Sequence, residues 1–397
     1  MNKNMKITQV WLILAIILMF GLPGCSSAPV VTSKASDGLA TPQQKVLPRD
    51  DVAKTINDWM VQPYADTLSV EVLYATNRNL LGAEAGCTDR QFGIDVAAIE
   101  SSDSKGVTLG SCLLNVPKKH VIGDLKFEAN PRADSHEYFK VLSHKKLSTD
   151  ELSASLLQAG EKGFLVFVHG FNVKFEEAVL RAAQIAYDLK FQGKVLLISW
   201  PAGAGDSLFA GTMLNRTYQS NKSNAEKSVE FMVNQLKMVQ AVANTGVPVF
   251  LAIHSMGHQV VLPALGLINA DGQSKLFREL VMNAPDFPID EFQKLSKSVV
   301  GSAKHVTLYC SYNDKAMTAS ETMNKNKRLG ECARTDGIDV INVGETDSSV
   351  LGLGHGYYSG RAILTDLSQM LLGLRAESRL FIRRSEPNSP EDFFLRP

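Results

Sequence analysis

Ser255 stands between an apolar run at residues 249–253 and a second apolar run that follows Gly257. A buried strand, a serine and then a helix form the pattern of a nucleophile elbow, a sharp turn that presents the hydroxyl where a helix N-terminus favours negative charge. The pattern predicts a nucleophilic serine. It is short, and a plain surface serine after a core strand gives the same letters.

A second apolar run, residues 164–168, ends in His169-Gly170-Phe171-Asn172 upstream of the serine. Acyl transfer needs two N–H donors that point at the developing oxyanion, and such donors come from an early loop and from the residue after the nucleophile. We assign the backbone amides of Phe171 and Met256. The alternative is a plain strand-to-helix turn in which Gly170 only ends the strand.

A carboxylate follows a later strand-like run, residues 305–311, where Asn313-Asp314 interrupts the apolar pattern. We favour Asp314 as the acid of the site. Asp286 also closes a strand-like run and remains the alternative acid. An Asn-Asp pair is also common in turns that have no catalytic part.

His355 lies in a glycine-rich loop after the strand-like residues 338–343. A histidine between glycines is not typical of a core residue. Along the chain the serine comes first, then the acid and then the histidine. This is the order found in hydrolases whose nucleophile lies on a strand-to-helix turn. We therefore predict that His355 is the general base for Ser255 and that Asp314 orients it.

With these motifs the chain resembles the α/β-hydrolase superfamily, and more closely its bacterial esterase/lipase-like branch. The resemblance runs from about residue 68 to about residue 375 and rests on residues 74–78, 168–172, 199–201, 254–257, 284–286, 311–314 and 354–355. It implies a Ser, Asp, His triad and hydrolysis of an ester-like bond, with no particular substrate. Ile253 departs from the small residue that is usual two places before the serine, which predicts a less tight elbow.

The N-terminus predicts export. Lys3 and Lys6 precede an apolar run at residues 10–20, which suits a signal peptide better than a membrane span. The run leads to Cys25 in a lipoprotein-type signal, so we expect Cys25 to be lipidated and to anchor the protein in the envelope, facing the periplasm at an outer membrane. Ordinary signal cleavage near Ala28 and an uncleaved anchor are the alternatives.

Four of the 5 cysteines remain after Cys25. An even number in an exported chain favours disulfides. Of three possible connectivities we expect Cys87 with Cys112 and Cys310 with Cys332 first, and free buried thiols are the competing interpretation.

Composition and segmentation define the class of protein. The 397 residues are 45% hydrophobic, which is enough for a large core. Lys plus Arg equals Asp plus Glu at 41 each, so the chain has no net positive charge that would attract nucleic acid. We divide the chain into a signal peptide (1–24), a flexible tether (25–49), a β-rich extension (50–160), a catalytic core (161–375) and a tail (376–397). We expect the tail to be a surface strap or disordered.

Strand and helix signals alternate through the core, which predicts an α/β-hydrolase fold. Its mostly parallel sheet carries helices on both faces, and the β-rich extension adds strands at an edge. The candidate site residues then meet at the carboxyl ends of the strands. Residues 203–223 are either a lid or a long loop packed on the core.

His254 and His258 resemble a zinc pair, but Ser255 stands where a metalloprotease has glutamate, and His254 belongs to a strand. We expect no metal and no cofactor. Two function classes remain: an envelope-anchored serine hydrolase acting on a small-molecule or lipid-like ester, and a catalytically silent hydrolase-like fold that serves as a binding or structural module.

Overall fold

The computed structural model describes residues 69–98, 106–128, 130, 133–203, 211–344 and 355–396. The predicted signal peptide, Cys25 and the tether lie outside these residues. Within the described part of the chain, no helix has the length and apolarity needed to cross a membrane.

The described strands, in chain order, are β1 (Ser69–Thr76), β2 (Arg78–Leu80), β3 (Phe92–Val96), β4 (Thr108–Asn115), β5 (Lys140–Lys146), β6 (Phe164–Val168), β7 (Lys194–Ser199), β8 (Val249–His254), β9 (Phe277–Asn283), β10 (Ala303–Cys310), β11 (Asp339–Asn342), β12 (Ile382–Arg384) and β13 (Phe393–Leu395). Eleven of them form one sheet in the order β12-β13-β11-β10-β9-β8-β6-β7-β1-β4-β5, while β2 and β3 pair separately. In this spatial order, neighbouring strands between β13 and β1 are parallel. At the two edges, β12 is antiparallel to β13, and β4 is antiparallel to both β1 and β5.

The described helices are α1 (Thr149–Leu157), α2 (Phe175–Asp188), α3 (Gly211–Lys227), α4 (Val229–Ala243), α5 (His258–Ile268), α6 (Ile289–Ser302), α7 (Lys315–Asn324) and α8 (Arg361–Leu371). Buried residues of α1, α4, α5 and α6 pack in a core on one face of the sheet, and those of α2 and α8 pack in a second core on the other face. Successive residues of β6 alternate between the cores: Phe164, Val166 and Val168 face one, and Leu165 and Phe167 face the other. Burial on both faces explains the uninterrupted apolar run of β6. The predicted α/β-hydrolase fold is confirmed.

The chain reverses its direction of travel across the sheet at β6. From β6 it passes through α2 to β7, and then returns through α3 and α4 to β8 on the other side of β6. Ligand crevices in open α/β sheets form at such switch points, outside the carboxyl ends of the strands. Val168 pairs in register with Ile253, so the loops after β6 and β8 leave the sheet side by side.

The β-rich extension contributes β1, β4 and β5 to one edge of the sheet, as expected. A disulfide joins Cys112 on β4 to Cys87. The extension also contains helix α1, which the sequence analysis missed. Ser148 and Glu151 form a capping box at its start, a signal that was present in the sequence.

The expectation of a disordered or merely superficial tail was wrong. Strand β13 pairs with β11 in parallel, and β12 pairs with β13, so both complete the sheet. Ile382, Phe393 and Leu395 are buried in the core beside α2 and α8. Each strand has only three residues, too few for an alternating pattern to stand out among the charges around them.

The region expected to be a lid or a long loop begins helix α3 at Gly211, and residues 204–210 lie outside the described part. Helix α3 ends at Lys227, and α4 follows it after a break at Ser228. Tyr218 and Ala225 of α3 belong to the core on the α4 face, so this helix is packed against the body of the protein.

Candidate active site

Ser255 occupies a strained turn directly after β8. Its φ of 51° lies in the left-handed region, which costs a residue with a side chain about 1–3 kcal/mol. A Cβ on Gly257 would stand 2.6 Å from the carbonyl oxygen of His169 and 3.3 Å from Cγ2 of Ile253. Gly257 therefore leaves the space that the branched Ile253 side chain needs. The looser elbow expected from Ile253 does not occur, since Ser255 keeps its left-handed φ.

A chain of hydrogen bonds connects Ser255, His355 and Asp314. The Ser255 Oγ lies 2.8 Å from Nε2 of His355, and Nδ1 of the same ring lies 2.7 Å from Oδ2 of Asp314. Both Ser255 and Asp314 are buried, and His355 is partly exposed. The structure thus brings together the three residues from the ends of β8 and β10 and from the loop before α8.

The Asp314 carboxylate has two separate tasks. Its Oδ2 faces His355, while its Oδ1 accepts the backbone N–H groups of Ala316 and Met317 at 3.0 and 3.1 Å, which caps helix α7. Asp314 therefore begins a helical turn and also hydrogen-bonds to His355, so the two interpretations of this residue do not exclude each other. Capping fixes the carboxylate plane, because the helix holds one oxygen while the other is directed at the imidazole.

The loop after β6 lies against the serine. A Cβ on Gly170 would stand only 2.7 Å from Cβ of Ser255, so only glycine fits there. Phe171 follows Gly170, and Met256 follows Ser255. Both backbone amides are without an acceptor of their own in the described part of the chain.

Asp286, the alternative acid, has partners other than His355. Its Oδ1 lies 3.1 Å from Nε of Arg328, and its Oδ2 accepts the Tyr218 hydroxyl at 2.9 Å. Ser320 donates its hydroxyl to the same carboxylate. The whole cluster is buried, so the Asp286 carboxylate is committed to a cation and two hydroxyls.

Two aromatic side chains beside His355, those of His254 and Tyr358, were not assigned to the site by the sequence analysis. The His254 ring stacks on Tyr358 with 3.7 Å between centroids and lies 4.9 Å from the His355 ring. Burial lowers the pKa of His254 well below its ordinary value, and the nearby His355 lowers it further, so His254 stays neutral beside His355. The only sequence signal was the position of Tyr358 shortly after His355.

The possible zinc pair has other contacts. His254 stacks on Tyr358, and His258 Nδ1 lies 2.7 Å from the carbonyl oxygen of Ser255, where it supports the elbow. Among the described residues there is no group of three or more His, Cys, Asp or Glu side chains placed to hold a metal ion.

A short segment, residues 328–332, joins the Asp286 loop to the Asp314 loop. Leu329 N–H donates to Phe287 O at 2.9 Å on one side, and Gly330 O accepts Ser311 N–H at 3.1 Å on the other. The segment carries Arg328 to Asp286 and ends in a disulfide from Cys332 to Cys310. The two disulfides among the described residues are the pairs that we expected first.

The family described as alpha/beta hydrolase of unknown function (DUF900) matches residues 144–375. No curated protein matches the chain. The matched residues are more than half of the 397 and include the hydrogen-bonded serine, histidine and aspartate. By its sequence and its fold, the chain belongs to this family of α/β hydrolases.

Proposed function

We propose that the protein is a serine hydrolase that cleaves carboxylic ester or acyl bonds through an acyl-enzyme. The observation that carries the proposal is the unbroken path of hydrogen bonds from the Asp314 carboxylate through His355 to the Ser255 hydroxyl, at 2.7 and 2.8 Å. A nucleophile, a base within hydrogen-bond reach and a group that orients the base are what nucleophilic catalysis requires.

The proposed reaction has two halves. Nε2 of His355 takes the proton of Ser255 as Oγ bonds to the substrate carbonyl carbon, and the resulting oxyanion accepts the N–H groups of Phe171 and Met256. The imidazolium then protonates the departing alkoxide, which leaves the acyl group on Ser255. Water, deprotonated by His355, attacks the ester in the second half, and the acid product leaves with Ser255 restored.

Asp314 acts through His355 in this scheme. Its buried carboxylate accepts the Nδ1–H of the ring, so Nε2 presents a lone pair to Ser255. It also stabilises the imidazolium that exists between the two proton transfers.

A catalytically silent binding module is the second class, and the geometry favours the enzyme. The left-handed φ of Ser255 lowers stability, and a module that only binds has no use for it. Strain of this kind is concentrated where it serves a reaction.

The proposed setting is the cell envelope, with a lipid on Cys25 as the anchor and a small-molecule or lipid-like ester as the substrate. The lipoprotein-type signal in the sequence supports this setting. Metabolic labelling with an alkyne fatty acid tests it, because Cys25→Ala should abolish the label and release the protein from the membrane fraction. An unchanged label would contradict lipidation at Cys25.

The activity is tested by covalent labelling with a fluorophosphonate probe and location of the adduct by mass spectrometry. We expect an adduct on Ser255 that is lost in Ser255→Ala and strongly reduced in His355→Ala. Ser302→Ala is the matched control, because Ser302 is also buried but lies at the end of α6 and donates to Val299 O. A folded wild type that forms no adduct would favour the binding module.

A further inference from the structure

Arg78 lies in the segment Tyr74–Arg78, which the sequence analysis singled out without a role for its cation. It follows β1 and begins β2, and its side chain is only 1% exposed. Its position places a buried guanidinium behind the loop that carries Phe171.

The guanidinium joins three loops. Nη1 donates to Ala202 O at 2.7 Å and to Gly93 O at 3.2 Å, while Nη2 donates to Val173 O at 2.8 Å. Nε donates to Ser199 Oγ at 3.0 Å. The planar fork therefore holds the ends of β3 and β7 and the residues after the Phe171 loop at fixed separations.

No carboxylate among the described residues lies within ion-pair distance of the fully buried Arg78, and Asp89 favours its charged form only from a longer distance. Burying a cation without a counter-ion is costly, and backbone carbonyls compensate only in part. A buried apolar residue would avoid this cost, so the cation needs another explanation.

The remaining contact of Arg78 is with His169. Nη2 lies 3.3 Å from Nε2 of the ring, and a guanidinium N–H can only donate, so Nε2 is the acceptor. The Ser199 hydroxyl, 2.9 Å away, can donate to the same nitrogen. Burial and the charge of Arg78 lower the pKa of His169 to about 3, which keeps the ring neutral. A neutral ring that accepts at Nε2 carries its proton on Nδ1.

That proton is directed at the loop beside the nucleophile. Nδ1 of His169 lies 3.1 Å from Gly170 O, so the Nδ1–H donates to this carbonyl. The Gly170 carbonyl and the Phe171 N–H belong to one planar peptide group and point in opposite directions. Holding the carbonyl oxygen on the His169 side therefore turns the Phe171 N–H to the other side of the loop.

We propose that Arg78 is a positioning residue for the oxyanion hole: it selects the Nδ1–H tautomer of His169, which holds the Gly170 carbonyl and so directs the Phe171 amide. This inference rests on the proposed function, in which that amide binds the oxyanion. The chain of donors also polarises the peptide group, which makes the Phe171 N–H a stronger donor.

Other contacts keep the same loop in place and leave the peptide orientation to His169. Trp200 donates its indole N–H to His169 O at 2.9 Å and stacks on the His169 ring. Asn172, at a left-handed φ of 58°, donates its N–H to Asn221 Oδ1 at 3.0 Å. Both ends of the loop are therefore fixed, while His169 Nδ1–H is the only donor to the Gly170 carbonyl among the described residues.

The first measurement is independent of catalysis. Long-range ¹H–¹⁵N spectra of histidine-labelled protein at pH 7.5, assigned with His169→Asn, should show the Nδ1–H tautomer at His169 in the wild type. In Arg78→Met we expect a mixture of tautomers or the Nε2–H form. An Nε2–H tautomer in the wild type, or an unchanged tautomer in Arg78→Met, would overturn the proposal.

The second measurement uses a chromogenic ester and a trifluoromethyl ketone, which forms an oxyanion on the serine. Loss of one oxyanion donor costs about 10²–10³-fold in kcat, so Arg78→Met should lose that factor in kcat and in ketone affinity, with KM nearly unchanged. Equal losses in kcat and KM, with ketone affinity retained, would indicate a merely structural residue and overturn the proposal.

A matched pair of variants covers the case in which Arg78→Met fails to fold. His169→Asn keeps an amide donor at the place of Nδ1, whereas His169→Gln places its amide near Nε2. We expect His169→Asn to retain most of the wild-type kcat and His169→Gln to lose it; the reverse order would contradict the proposal. Fluorophosphonate labelling of the wild type separates the two failures, since it tests the serine without reference to the tautomer.

Discussion

Asp286 and Asp314 follow neighbouring strands of one sheet, are almost equally buried and differ in what faces them. Asp286 faces the Arg328 guanidinium and the hydroxyls of Tyr218 and Ser320. Asp314 faces the imidazole of His355 and the start of α7. The first is paired with a permanent cation, whereas the second faces a ring that becomes cationic only in the proposed reaction. The partner therefore decides which carboxylate can serve a base.

The strongest way to break this comparison is Asp314→Asn. Asparagine is also a good N-cap, so helix α7 should stay capped, but the neutral amide no longer stabilises the imidazolium. We expect kcat for a chromogenic ester to fall about 10⁴-fold with a nearly unchanged melting temperature. Activity within tenfold of the wild type would contradict the assignment of the acid.

The same change at the other carboxylate, Asp286→Asn, should lower the free energy of unfolding. It leaves Arg328 buried without its counter-ion, which typically costs about 3–5 kcal/mol in the free energy of unfolding. We expect this loss in urea unfolding, with kcat of the folded protein within about tenfold of the wild type.

Arg328→Met in the Asp286→Asn background is the control, because removing the cation as well should recover part of the stability. A kcat as low as that of Asp314→Asn would mean that Asp286 takes part in the chemistry after all.

The two disulfides sharpen the comparison, since only one of them adjoins an acid. Cys310–Cys332 closes 22 residues and Cys87–Cys112 closes 25, so replacing either pair with alanine should cost a similar free energy of unfolding, roughly 3 kcal/mol. Only the loss of Cys310–Cys332 should also lower kcat, by about 10- to 100-fold, because the Asp314 loop is then less well positioned. Equal kcat values for both double variants would show that the acid loop needs no clamp.

The smallest expected effect concerns helix α5, which begins at His258 just after the Ser255 turn. Burial lowers the pKa of His258 from 6.5 to about 3. The unfolded chain therefore binds a proton below pH 6.5 that the native protein does not bind until about pH 3. The contribution to stability is complete above pH 6.5 and is lost as the pH falls toward 3, by about 1 kcal/mol per pH unit.

His258→Asn isolates this contribution, because the amide can still donate to Ser255 O. Urea unfolding between pH 6 and 4 should give a pH slope smaller than that of the wild type by about 1 kcal/mol per pH unit. Identical slopes would contradict a neutral, buried His258.

Local signals in the sequence predicted much of the fold and the position of the site. Ser255, Asp314 and His355 each follow an apolar strand, and the ends of parallel strands meet at one edge. The partner of each carboxylate could not be predicted in the same way. Arg328 reaches Asp286 through a segment that reads as an ordinary loop, and nothing near either residue in sequence indicates the pairing.

The Arg78 network shows the same limit. Residues 74–78 were singled out in the sequence, but the role of Arg78 depends on its hydrogen bonds to the carbonyl oxygens of Gly93, Val173 and Ala202. Only folding brings these oxygens together. The short strands β12 and β13 were missed because three residues are too few to show a period.

The tail strands have a consequence for the order of assembly. Tyr312, two residues before Asp314, donates its hydroxyl to Glu391, and Arg334 donates to the carbonyl oxygen of the same glutamate. Asp392 N–H donates to Val340 O on β11. A ribosome releases residue 255 long before residue 391, so β8 can form while the Asp314 loop still lacks its outer support. Vectorial synthesis therefore makes the acid loop among the last parts of the molecule to be secured.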